Sequence, residues 1–281
     1  MAPPPPASMP LGQRLAALAQ TLQFAWFAGH VFLLLSTFRY SLSYVTFNSA
    51  SRWATVSYRV AFMSATVTYG IVVYKAYRAR ARQGKQGGIF SLATDENVQY
   101  LIMALTWLFS RQIPLAVLPF AVYSVFHVAT YVRSNLLPTI QPPQQPSQPG
   151  AKPKPTALSE AIGNFVKDYY DASMTIVAIL EIALWVRVFG SALLFQKGSW
   201  ILLVVYTVFF RARYAQSSFV QGAIANLVAR IDAQLANQSM PPAARQGWAT
   251  FKNVVGQAAD ATDIRKYVSG GQQGAAPKKA Q

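Results

Sequence analysis

Few residues in this chain could do chemistry. Its 281 residues include no cysteine and two histidines, His30 and His127. Thiol catalysis, disulfides and thiolate zinc sites are thereby excluded, and a histidine-rich metal centre lacks ligands. His127 lies in the apolar run "PLAVLPFAVYSVFHVATYV", Pro114 to Val132. As a proton shuttle it would need an orienting carboxylate or a nucleophile, and the one acid in a comparable apolar setting is Glu181, in "AILEIALWVR". A neutral imidazole that hydrogen-bonds a neighbouring helix needs neither, and intramembrane polar residues often play that part. We read His127 and His30 in this second way.

Asp168 and Asp171, in "KDYYDAS", sit three residues apart on one helical face. Paired aspartates can hold a divalent ion against a phosphate, which gives an alternative function: a metal-dependent, lipid-modifying membrane enzyme. Such enzymes need further acids at matched spacing, and only Glu181 follows. The carboxylates equally suit an interfacial first helical turn. The reading adopted is a non-enzyme that needs no cofactor and no metal.

The elements that must position these residues are membrane helices. Hydrophobic residues make up 53% and charged ones 12%, about half the share usual for soluble domains. The apolar residues also come in runs. The expected fold is all-α: a polytopic membrane protein with two spans, two helical hairpins and C-terminal amphipathic helices. Residues 1–10 are a disordered proline-rich start without the pattern of a secretory leader. Residues 11–137 form a membrane region: a short lead-in helix, spans at 22–38 and 60–77, and a tight hairpin turning near Arg111–Pro114. Residues 138–156 are a Pro/Gln-rich cytosolic linker, and 157–214 carry a second hairpin with arms at 173–189 and 200–210. Residues 215–268 are amphipathic cytosolic helices, and 269–281 a disordered tail. The two hairpins are loosely similar, with no other internal repeat.

The chain carries 25 Lys+Arg against 9 Asp+Glu. If both hairpins return to their starting side, the termini share one face. The opposite face then holds only Arg39, Arg52, Arg59, Arg111, Arg187 and Lys197, so the termini are cytosolic. The sequon at Asn237 accordingly stays unglycosylated. Lys75, Arg78, Arg80, Arg82 and Lys85 abut the second span and lack interleaved aromatics, which points to anionic headgroups rather than nucleic acid. In the tail, Trp248, Phe251 and Val255 share a helical face flanked by Arg245 and Lys252. This stripe suits membrane-surface binding, with docking on the protein's own helices as the competing reading.

At "LPFAVYSVFHVATYVRSNLLP" the sequence resembles the transmembrane protein 33 family, whose fungal branch includes pore-membrane nucleoporins. The matching positions are Leu118, Pro119, Phe120, Ser124, Phe126, His127, Ala129, Thr130 and Tyr131, then Asn135 and Pro138. "ENVQYL" (96–101) and "RARYAQSS" (211–218) are similar in kind and order. The resemblance implies an integral protein of the endoplasmic reticulum and nuclear envelope, without enzymatic activity. It would act in membrane shaping and nuclear pore distribution or assembly, through shallow hairpins and an amphipathic tail. Pro119, Phe120, Phe126, His127, Thr130 and Tyr131 would be a family packing motif. Implied partners are membrane lipids, reticulon-type shaping proteins and nucleoporins; the basic tail adds a nuclear transport receptor.

Overall fold

A computed structural model describes residues 8–84, 92–142, 156–236 and 240–261. Every regular element among them is helical, so the all-α class stands. The chain divides into two compact units, residues 1–209 and 210–281.

The first unit opens with α1 (Leu11–Ala19) and α2 (Leu22–Val45). The two meet at 81° because Thr21 ends one helix and caps the next, its Oγ1 accepting from Phe24 N–H at 3.0 Å. The lead-in helix is where the sequence puts it. The spans are longer than their apolar stretches: α2 runs past the expected end at 38, and α3 covers Arg52–Arg82. Polar residues can extend a helix into the headgroups, so hydropathy marks only the lipid-facing part.

Helix α4 (Glu96–Phe109) and α5 (Pro114–Tyr131) form the first hairpin, turning at residues 110–113 as the Arg-Gln-Ile-Pro sequence predicts. Its arms are unequal. Helix α4, of 14 residues, covers ~21 Å. Helix α5 continues through a π-helical turn (Val132–Leu136) into α6 (Leu137–Ile140). The linker therefore starts later than residue 138: Pro138 sits in a helix, where its missing N–H costs little at the first turn. Thr139 is wholly buried there.

Helix α7 runs from Ala157 to Leu193, far beyond the arm expected at 173–189, and α8 spans Ser199–Gln216. Among the described residues, three helices are long and apolar enough to cross a bilayer: α3, the α5–α6 rod and α7. The bent α1–α2 pair makes a fourth if it is one span. The structure thus gives a polytopic bundle of three to four apolar spans.

An internal repeat does exist at the helix ends. Arg39, Ser43, Phe47, Asn48 and Ser51 recur at the same spacing as Arg187, Ser191, Phe195, Gln196 and Ser199. In each copy the arginine donates to the serine four residues on. Each phenylalanine adopts the left-handed conformation that closes a helix, φ 53° at Phe47 and 50° at Phe195. Asn48 N–H reaches Ser43 O at 2.7 Å, and Gln196 N–H reaches Ser191 O at 3.1 Å. The repeat relates the α2–α3 turn to the α7–α8 turn and rests mainly on polar positions, which hydropathy does not weigh.

The turn between α4 and α5 locks onto the second copy and onto the start of α3, just beyond the first copy. Arg111 donates to Gln196 and to Ser199, while Gln112 donates to Thr55 at 2.8 Å. Arg59 caps the end of α4 by donating to the carbonyls of Trp107 and Leu108. All three turns therefore gather at one end. An aromatic column fills the interior behind them: Tyr40, Tyr58, Phe62, Phe120, Tyr100 and Phe209 touch in sequence.

The second unit contains the last turns of α8, then α9 (Ser218–Leu235) and α10 (Pro242–Ala261). Helix α10 continues through Asp260 to Ala261. The residues around the sequon, 237–239, and those beyond 261 lie outside the described residues, as do the first seven.

Candidate functional site

The helix pair α2–α5 builds the most polar part of the interior. His30 is 1% exposed and shares a hydrogen bond between Nδ1 and Ser124 Oγ at 2.9 Å. Ser124 in turn donates to Phe120 O at 2.7 Å. With that hydroxyl proton committed, a proton on His30 Nδ1 completes the chain. The His127 ring lies 4.6 Å from the His30 ring and 5.0 Å from Trp26, which packs edge-on against both. This arrangement is helix–helix packing. Glu181 hydrogen-bonds instead with Tyr100, which donates to Oε1 at 2.5 Å, while Tyr206 donates to the Glu181 carbonyl at 3.1 Å. Sequence reasoning found the histidines and the glutamate, met Ser124 only as a matching family position, and missed Trp26 and Tyr100 as their partners. Their partnerships join residues about a hundred positions apart, which no local pattern encodes.

The other motif positions sort by face. Pro119, Phe120, Phe126 and Tyr131 are buried and Thr130 is exposed. Tyr131 stacks on Phe27 at 4.4 Å, and Phe126 stacks on Phe165 of α7 at 5.9 Å. Pro119 lies inside α5, a position that membrane helices tolerate when their neighbours pack closely.

Asp168 and Asp171 are exposed, three turns and more into α7. The first-turn explanation is therefore wrong: α7 starts at Ala157, and its first-turn acid is Glu160. Among the described residues, no three His, Asp or Glu side chains converge as a metal site would require.

Of the basic stripe, Lys75, Arg78 and Arg82 are exposed along the end of α3, and Lys85 lies outside the described residues. Arg80 has an additional task. It pairs with Asp95 at 3.1 Å, and Asp95 caps α4 by accepting from Asn97 N–H at 2.9 Å. Basic residues in the last turn of α3 also complement its helix dipole.

In the tail, α10 has no buried residue. Trp248 stacks on Phe251 at 5.5 Å, but its indole N–H and Lys252 Nζ both donate to Asp232 Oδ1 of α9, at 2.6 and 2.8 Å. Those hydrogen bonds hold the Asp232 carboxyl below the usual carboxylate range, Lys252 contributing more than Trp248. Phe251, Val254 and Val255 remain exposed. Of the predicted lipid-facing set, two residues thus grip a neighbouring helix and two stay free. Asp232 was the missed partner, and its rarity was the available signal, since residues 182–231 contain no other acid.

These features define a polytopic helical membrane protein whose buried polar groups join helix to helix. Residues 7–261 match the family described as Transmembrane protein 33/Nucleoporin POM33, and the chain belongs to it. It is 55% identical to Nucleoporin POM33 of Chaetomium thermophilum over the full length of both chains, 100% of each. It is 35% identical to Tetra-spanning protein 1 of Schizosaccharomyces pombe, over 88% of this chain and 87% of that one. The identity to the Pore membrane protein of 33 kDa of Saccharomyces cerevisiae is 31%, over 86% and 85%. No solved structure matches. Membership assigns the chain to the endoplasmic reticulum and nuclear envelope, in a structural and non-enzymatic capacity.

Proposed function

We propose that this chain shapes the membrane of the endoplasmic reticulum and the nuclear pore, and in doing so contributes to distributing or assembling pore complexes. The supporting observation is the unequal length of the paired helices. Helix α4 covers ~21 Å beside the 31-residue α3, so it falls short of the ~30 Å hydrocarbon layer that α3 can cross. A short arm displaces lipid in one leaflet more than in the other. Helix α10 acts in the same direction when Phe251, Val254 and Val255 enter the headgroup layer.

The three turns sit away from the basic end of α3, so positive charge orients the termini and the linker toward the cytosol. Lys75, Arg78, Arg82 and Lys85 rest on anionic headgroups. Pro119, Phe120, Phe126, His127, Thr130 and Tyr131 serve as the family's packing surface. Partners follow from the place: nucleoporins, reticulon-type shaping proteins and, for the basic tail, a nuclear transport receptor. The relatives' names, with their reference to the pore membrane, support this part of the reading.

The test is reconstitution of the full chain into vesicles with an endoplasmic-reticulum lipid composition, followed by electron cryo-microscopy. Tubules or narrowed vesicles are expected, with a weaker effect from a chain ending at Leu235. Vesicles of unchanged shape at matched protein content would refute the reading.

A further inference from the structure

We propose that a groove between α2, α5 and α7 binds one phospholipid of net negative charge, its phosphate on Arg187 and an acyl chain along the apolar walls. The groove has a volume of about 460 Å³ and is lined by Tyr40, Tyr44, Leu115, Val117 and Leu118, with Arg187 as its one cation. It lies at the end where the three turns gather.

Among the described residues, Arg39, Arg111 and Arg187 at this end have no carboxylate partner. Residues 1–94, 97–159 and 182–231 contain no Asp or Glu, and these stretches supply every element around the turns. Arg187 is exposed and rooted by its hydrogen bond to Ser191, which uses one of its five N–H donors and leaves others for a ligand. Arg111, in the neighbouring turn, lies close enough for the two positive charges to repel. A phosphodiester between them relieves that repulsion and suits the planar guanidinium. A free anion would satisfy Arg187 but leave the tyrosine and leucine walls unfilled. A phospholipid supplies both the anion and the hydrocarbon, and the bilayer presents it at high local concentration. Arg39 is a built-in control: it has the same serine hydrogen bond in the other repeat but does not line the groove. The inference requires only that the helices lie in lipid and is independent of the role at the pore.

Native mass spectrometry of the full chain from nonionic detergent, titrated with dioleoyl phosphatidylglycerol or dioleoyl phosphatidylcholine, tests it. The wild type is expected to retain one phosphatidylglycerol in preference to phosphatidylcholine. Arg187→Gln should weaken this by about tenfold, the loss of one charge-assisted contact. Leu118→Trp, which fills the groove and leaves all charges in place, should weaken it similarly, while Arg39→Gln should not. Excess inorganic phosphate should fail to displace the lipid. Equal retention of the two lipids, wild-type binding by Arg187→Gln, equal loss in Arg39→Gln, or displacement by phosphate would each overturn the site. Arg187→Gln and Leu118→Trp alter different atoms, so a folding defect in one leaves the other decisive.

Discussion

Trp248 and Asp232 sit sixteen residues apart on different helices, joined by a 2.6 Å hydrogen bond from indole to carboxylate. Lys252 shares that acceptor, so one half-buried aspartate latches α10 to α9 through two donors. Asp232→Ala should release the latch. Nitroxides on cysteines introduced at Ala233 and Gln246 of this cysteine-free chain should report a broader, longer distance distribution in the variant. An unchanged distribution would show that other contacts hold the helices together.

The same latch has a defined pH dependence. Asp232 titrates below its ordinary value because its charged form is hydrogen-bonded. Its contribution is complete above the unfolded carboxylate pKa of about 4 and disappears as pH falls through the lowered folded value. The nitroxide distance should therefore stay constant from neutral pH down to about 5 and lengthen only in stronger acid. Lengthening between pH 6 and 7 would assign the control to another group.

Gly29 marks the closest approach of α2 and α3. A Cβ there would lie 2.5 Å from Thr68 Cγ2, and Thr68 is fully buried. Gly29→Ala should destabilise the detergent-solubilised chain by about 1–3 kcal/mol, the usual cost of overpacking. Thr68→Ser removes the clashing methyl and keeps the hydroxyl that donates to Ala65 O at 2.9 Å, so it should restore much of the loss. Thermal melting of the two single variants and the double variant measures this.

Ser124→Ala removes the buried partner of His30 and should cost about 1–2 kcal/mol. Adding His30→Phe to it should cost less than the sum of the single changes, because the imidazole would no longer be buried unpaired. Additive losses in melting temperature would mean that the two side chains do not interact.

Asp168→Asn with Asp171→Asn should change stability by less than about 0.5 kcal/mol, as exposed positions usually do. Neither magnesium nor manganese should shift the melting temperature of the wild type. A metal-dependent rise lost in the double variant would reopen the enzyme reading.

What could be read from sequence was whatever a single helix determines for itself. The turn at 110–113 was legible because Arg111, Gln112 and Pro114 interrupt an apolar run. The lead-in helix α1 was legible from its own spacing. The true start of α7 was not, because Glu160, Lys167, Asp168 and Asp171 hold back the hydropathy signal until residue 173, about four turns after the helix begins. The capping signal was nonetheless present: Thr156 accepts from Ser159 N–H at 3.2 Å. His127 stood out by its type, yet its neighbours Trp26 and His30 arrive from another helix. The Arg39 and Arg187 repeat was legible in principle but fell in positions that a search for apolar runs passes over.

The double grip of Arg111 on Gln196 and Ser199, with Gln112 on Thr55, restricts how the bundle can respond to bilayers of different thickness. Sliding one helix pair past another by a single residue, ~1.5 Å, would break these bonds. Mismatch must therefore be met by leaning the whole bundle or by deforming the surrounding lipid. A protein that cannot adjust its own height passes the strain to the sheet around it, so its preferred residence is wherever the sheet is already thin or bent.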